Sequence, residues 1–79
     1  MGGLEKIEEL TDKVLSLISP EIKRDVLNID TFEDIENLNR IIKKIYEETK
    51  FEEILELKES ERKLFFVNLL YKILRTHKI

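Results

Sequence analysis

The sequence predicts an all-α protein, a compact bundle of four or five short helices. Apolar residues recur at intervals of three and four along almost the whole chain, and alternation at intervals of two is hardly seen. The chain has 79 residues, enough for one core, and it has no cysteine and no glycine after Gly3. We therefore expect a single domain over residues 1–79, frayed at residues 1–3 and 78–79, with helices over about 4–18, 20–28, 31–48, 50–57 and 59–77.

A capping signal separates the first two helices. Apolar residues at helical spacing form one side of the first helix: Leu4, Ile7, Leu10, Val14, Leu17 and Ile18. Ser19 is a favoured N-cap residue, and Pro20 suits the first position of a helix. This pair predicts the end of one helix and the start of the next, which buries Ile22, Val26 and Leu27.

Two further capping patterns divide the middle of the chain. Two pairs have the spacing of a reciprocal cap before the third helix: Asp30 with Glu33, and Thr31 with Asp34. Either pair starts the helix near residue 31, and its apolar stripe continues to about residue 48. Thr49 and Glu52 repeat the spacing, so we expect a break there and a short helix over residues 50–57.

The last helix, expected to start near Glu59 or Ser60, is both the most apolar and the most basic part of the chain. From residue 62 to residue 79 there are five Lys and Arg residues, one histidine and no acid. In a helical projection Asn68, Lys72 and Arg75 share one narrow polar side, and apolar residues cover more than half of the circumference. One interpretation makes it a central helix covered by helices one and three. The other leaves part of its apolar surface exposed to bind another chain or a second copy.

The residues offer little for catalysis, metal binding or a cofactor. His77 is the only histidine, and it falls in the last turn of the last helix, where fraying is expected. Glycine-rich phosphate loops are excluded, because the only glycines are Gly2 and Gly3. Four glutamates cluster at helical spacing, a pattern that is more typical of a solvated face than of a metal site: Glu52, Glu53, Glu56 and Glu59. We expect no enzymatic activity, no small-molecule substrate, no metal and no cofactor.

The sequence therefore favours a protein-interaction module, such as an accessory subunit, an adaptor or an inhibitor, that docks on a larger protein or forms a homo-oligomer. Aromatic anchors with a cationic rim are typical of interfaces, and six residues of the last helix fit that description: Phe65, Phe66, Leu69, Tyr71, Lys72 and Arg75. Phe65 projects beside Lys72 at the edge of the polar side, so we expect it to have no core role and its change to alanine to leave stability nearly unchanged.

Nucleic-acid binding is the alternative function. The net charge of −3 opposes it, yet an acid-free basic helix can act as a local cationic patch. Its candidate residues are Lys58, Arg62, Lys63, Lys72, Arg75 and Lys78. Two parts of the chain are candidates for a helix-turn-helix. Residues 20–48 would place carboxylates at the start of the recognition helix, where they repel DNA. Residues 50–57 with the last helix are therefore the better candidate.

Composition gives a clue to the kind of organism that the protein comes from, and hydropathy gives a clue to its location in the cell. Charged residues make up 39% of the chain and alanine is absent, which resembles a thermophile's composition and equally a low-GC genome's. The longest uncharged run, residues 64–71, is far too short to span a membrane, so we expect a cytoplasmic protein.

Overall fold

A computed structural model describes residues 3–76, which form an all-α bundle as the sequence predicts. The elements are α1 (Gly3–Leu15), α2 (Pro20–Leu27), α3 (Ile35–Thr49), a short 3-10 turn (Glu52–Ile54) and α4 (Glu59–Thr76). Each prediction for residues 1, 2 and 77–79, including fraying and the role of His77, lies outside the described residues.

The junction between α1 and α2 follows the predicted capping chemistry, but α1 ends three residues earlier than expected. Ser19 is the N-cap of α2, and its side chain accepts a hydrogen bond from the Ile22 N–H at 3.3 Å. After Leu15 the chain tightens, because the Leu17 N–H bonds the Val14 carbonyl three residues back at 2.9 Å. Residues 16–18 therefore form a turn, although Ile18 stays buried.

The third helix begins at Ile35, so the predicted start near residue 31 is wrong. The N-cap is Asp34, whose carboxylate accepts from the Asn37 N–H at 3.2 Å. The Thr31 hydroxyl instead accepts from the N–H of Glu33, only two residues ahead, at 3.1 Å. This local turn competes with helix formation and delays the helix until the next capping residue.

The predicted helix over residues 50–57 is also wrong, because the structure has only the three-residue 3-10 turn there. Lys50 ends α3 in the left-handed region at φ 60°. The Thr49 hydroxyl donates to the Ile45 carbonyl at 2.9 Å and accepts from the Phe51 N–H at 3.3 Å. Thr49 thus closes α3 and does not cap a new helix.

The fourth helix starts where the sequence predicts, at Glu59. The Glu61 carboxylate accepts from the Lys58 N–H at 2.7 Å, which is the returning half of a reciprocal cap. α4 packs against α1 and α2, whereas α3 packs against α2 and the 3-10 turn. By backbone proximity the main neighbours of α4 are therefore α1 and α2, where the sequence predicts helices one and three, and α3 reaches α4 through side chains such as Asn39, which bonds Arg62.

One apolar cluster joins the four helices. Its buried members are Ile7, Leu10, Val14, Ile18, Ile22, Val26, Leu38, Ile41, Ile42, Ile45, Ile54, Leu57, Phe65, Phe66, Leu69 and Ile73. Thr11 is buried among them and has its hydroxyl satisfied by the Ile7 carbonyl at 2.6 Å. Since α4 contributes both of the fully buried phenylalanines, Phe65 and Phe66, its inner side sets the centre of the core.

Candidate interaction face

The inner side of α4 takes up half of the residues that the sequence assigns to partner binding. Phe65, Phe66 and Leu69 are fully covered, and Ile73 below them is 1% exposed. These side chains belong to the buried apolar cluster, so Phe65, Phe66 and Leu69 are core residues in the structure and are not surface anchors.

The prediction that Phe65 has no core role is wrong for an identifiable reason. Its ring meets the ring of Phe66 edge to face, with centroids 5.7 Å apart and planes inclined by 64°. Lys72, which projects beside it, does not mark a solvent-facing side. The Lys72 Nζ instead donates to the Asp12 carboxylate of α1, and its side chain is only 23% exposed.

The opposite side of α4 is also apolar, and it is exposed. Its members are Leu64 at 39% exposed, Val67 at 45%, Tyr71 at 59% and Leu74 at 56%. We call these four residues the outer stripe. Their spacing of three, four and three residues is that of the a and d positions of a coiled coil, so they lie in a nearly straight line along the helix.

Polar residues follow the outer stripe along one edge at seven-residue spacing. In the helical projection Glu61, Asn68 and Arg75 lie on this edge, and Lys63 and Leu70 lie on the other. The Arg75 guanidinium sits 5.8 Å from the centre of the Tyr71 ring. This contact holds an otherwise exposed cation against the stripe.

Of the residues predicted for partner binding, Tyr71 and Arg75 therefore lie together on the outer surface. Lys72 lies between the two sides of α4, paired with Asp12 across a groove of about 350 Å³ between α1 and α4. Sequence reasoning missed three residues of this face: Leu64, Val67 and Leu74. The signal that finds them is their spacing of three, four and three residues. The inner residues Phe65, Leu69 and Ile73 recur instead at intervals of four.

The cations predicted for nucleic-acid binding do not form one continuous face among the described residues. Lys58 is exposed near the start of α4. Arg62 turns toward α3, where its Nη1 donates to the Asn39 side chain at 2.7 Å. Lys63 and Arg75 flank opposite edges of the outer stripe, and Lys72 is engaged by Asp12. Lys78 lies outside the described residues.

The better of the two helix-turn-helix candidates, residues 50–57 with α4, lacks its first helix in the structure. Residues 50–57 contain only the 3-10 turn Glu52–Ile54, so a helix pair with α4 is not present there. α4 is preceded by an irregular segment, and the Leu57 side chain of that segment is buried in the core.

A groove of about 430 Å³ lies beside this segment, between α3 and the start of α4. Its walls are mostly apolar: Asn39, Ile42, Lys43, Tyr46, Leu55 and Arg62 line it. The Arg62 Nε is covered and has no hydrogen-bond partner within the part of the chain that the structure describes. Arg62 as a whole is partly exposed, and its Nη1 donates to Asn39.

Residues 3–76 contain no candidate for a metal site or a membrane-spanning helix. Three or more acidic or histidine side chains nowhere converge there as a metal site would require. Each described helix is too short or too polar to cross a bilayer. The outer stripe is therefore the surface feature of the described chain that most needs a functional account.

Comparison with known proteins does not supply that account. No protein-family model, no curated protein and no solved structure matches this chain.

Proposed function

We propose that the chain is a non-enzymatic interaction module that binds another protein chain through the outer stripe of α4. The observation that carries this proposal is the straight row of four exposed apolar side chains at coiled-coil spacing. Leu64 and Leu74 are ten residues apart, so the row is about 15 Å long at the rise of an α-helix.

The width of the stripe indicates the kind of surface that it fits. A stripe of only a and d positions is narrower than the side that a helix buries in a globular core. It matches a single partner helix, whose side chains insert between the four apolar residues. Tyr71 is the largest of the four and the most exposed, and tyrosine is among the residues that concentrate binding energy.

The same geometry weighs against nucleic acid as the ligand. Binding to phosphates depends on Lys and Arg that face one backbone together. On α4 the exposed surface between Lys63 and Arg75 is apolar, and two other cations of the set already bond Asp12 and Asn39.

Site-specific photocrosslinking in the cells that express the protein tests the proposal. A benzophenone-bearing phenylalanine analogue replaces Tyr71 in one variant and Leu17 in a control variant. Leu17 is 54% exposed, which matches Tyr71 closely, and it lies in the turn after α1. We expect a discrete protein adduct from position 71 and none from position 17, with mass spectrometry naming the protein attached.

Three results contradict the proposal. The first is the absence of a protein adduct at position 71, and the second is the same adduct at both positions. The third is a salt-sensitive gel shift of the purified protein with short duplex DNA below about 100 mM salt that Lys72→Glu with Arg75→Glu abolishes.

A further inference from the structure

We infer that the chain bound by the outer stripe is a second copy of this protein, packed antiparallel about a two-fold axis that passes beside Asn68. This inference rests on the proposed function, because it names the occupant of the same surface. The observations that carry it are the order of charges along one edge of the stripe and the position of the stripe relative to the core.

The polar edge of α4 is complementary to itself when it is reversed. Along the chain it reads acid, amide, cation: Glu61, Asn68 and Arg75. In an antiparallel pair related by a two-fold axis, the same edges of the two helices face each other. Glu61 of each copy then meets Arg75 of the other copy, and the two Asn68 amides meet on the axis, where each can donate to the other.

The apolar residues pair in the same register. Leu64 of one copy lies opposite Leu74 of the other, and Val67 lies opposite Tyr71, so four apolar layers form across the axis. Leu70, which is partly exposed on the other edge, meets its own counterpart.

The body of each domain leaves room for this arrangement. The inner side of α4 holds Phe65, Leu69 and Ile73 against α1 and α2, and the outer stripe points roughly the opposite way. A second copy therefore approaches without meeting the other helices. The result is a pair of α4 helices at the centre, with one helical body on each side.

A parallel pair lacks the charge match. In that orientation Arg75 faces Leu70 of the second copy and Asn68 faces Lys63, so no ion pair forms along either edge. The acid-free halves of the two α4 helices also lie side by side. The sequence of charges thus favours the antiparallel pair over the parallel one.

The size of the contact sets the concentration range of the test. Four side chains along about 15 Å of helix bury less than the roughly 800 Å² per partner of a standard interface. We expect a dissociation constant in the micromolar range or weaker, so solution mass is measured by sedimentation equilibrium from about 10 µM to about 1 mM.

The decisive variants place a charge on the proposed axis. Asn68→Lys and Asn68→Glu each put like charges face to face in an antiparallel dimer, so each variant alone is expected to dimerise about tenfold more weakly than the wild type. An equimolar mixture of the two places opposite charges on the axis and is expected to recover the wild-type affinity or exceed it. In a parallel dimer Asn68→Glu alone faces Lys63 and strengthens association, so that result overturns the antiparallel arrangement.

Matched leucine variants test whether the stripe is the contact. Leu74→Ala is expected to weaken dimerisation about tenfold or more, whereas Leu17→Ala, with nearly the same exposure, leaves it unchanged. Circular dichroism at low concentration checks that each variant is folded. Equal effects of the two leucine variants on dimerisation overturn the inference.

The inference and the proposed function fail separately. A wild-type chain that stays monomeric to about 1 mM overturns self-association. If position 71 then crosslinks to a different protein in cells, the proposed function stands with another occupant. If position 71 gives no protein adduct, both are overturned.

Discussion

Removing the Phe65 side chain is expected to destabilise the domain severely. The ring is fully covered and meets Phe66 edge to face, so Phe65→Ala leaves a cavity at the centre of the core. Changes of buried phenylalanine to alanine cost about 3–5 kcal/mol. A chain of this length is stable by only about 4–12 kcal/mol, from about 0.05–0.15 kcal/mol per residue, so the loss is a large fraction of the total.

Thermal and urea unfolding followed by far-ultraviolet circular dichroism measures this loss. At about 4–8 °C per kcal/mol, Phe65→Ala is expected to lower Tm by at least about 12 °C. Leu17→Ala removes a half-exposed leucine and is expected to change stability by less than about 1 kcal/mol. If Phe65→Ala does not fold, Phe65→Leu replaces it, with an expected loss of about 2 kcal/mol. A Tm for Phe65→Ala within a few degrees of the wild type would refute the packing of α4 described above.

Two backbone features near the end of α3 give further predictions. Lys50→Gly is expected to raise the free energy of unfolding by about 1 kcal/mol, because a non-glycine residue at φ 60° carries a steric cost that glycine avoids. An unchanged urea midpoint for this variant would argue against strain at position 50. Thr49→Val is expected to lower it by about 1–2 kcal/mol, because its hydroxyl serves both the Ile45 carbonyl and the Phe51 N–H. Thr49→Ser keeps the hydroxyl and should lose less; a loss for Thr49→Ser as large as the loss for Thr49→Val would argue against a specific role of the hydroxyl.

The fold was predictable from the sequence where neighbouring residues favour only one local structure. Ser19 followed by Pro20 suits an N-cap and a first helical position, and the structure places α2 there. Before α3 the sequence offers two overlapping capping patterns, Asp30 with Glu33 and Thr31 with Asp34. In the structure the Thr31 hydroxyl bonds the Glu33 N–H in a local turn and the helix starts after Asp34, an outcome that the capping-box spacing alone does not reveal.

The segment after α3 shows a second reason why an element was predicted wrongly from the sequence. Thr49 has the spacing of a cap, but its hydroxyl is used by the end of the preceding helix. Lys50 reverses the chain in a left-handed conformation that glycine or asparagine more often adopts, so its residue type gives no warning. A turn was therefore misread as the start of a helix.

The residues that the sequence assigns to partner binding are divided between the buried and the exposed side of α4. Treating the side with Asn68, Lys72 and Arg75 as the solvent side assumes that α4 has one apolar face and one polar face. The structure shows two apolar sides with polar residues along the boundaries between them. Lys72 lies on one such boundary because Asp12 of α1 provides a partner, a contact 60 residues away in sequence that periodicity does not reveal.

The two apolar sides of α4 differ in spacing and in exposure. The inner residues recur mainly at intervals of four, so they stay on one side of α4 and pack into the core. The outer stripe alternates intervals of three and four, the pattern that keeps side chains facing one other helix. Because its members remain 39–59% exposed, they add little to the stability of the monomer and present apolar surface to water. In the proposed complex a partner helix would remove that surface from water without disturbing the core, so folding and binding would be separable on this one helix.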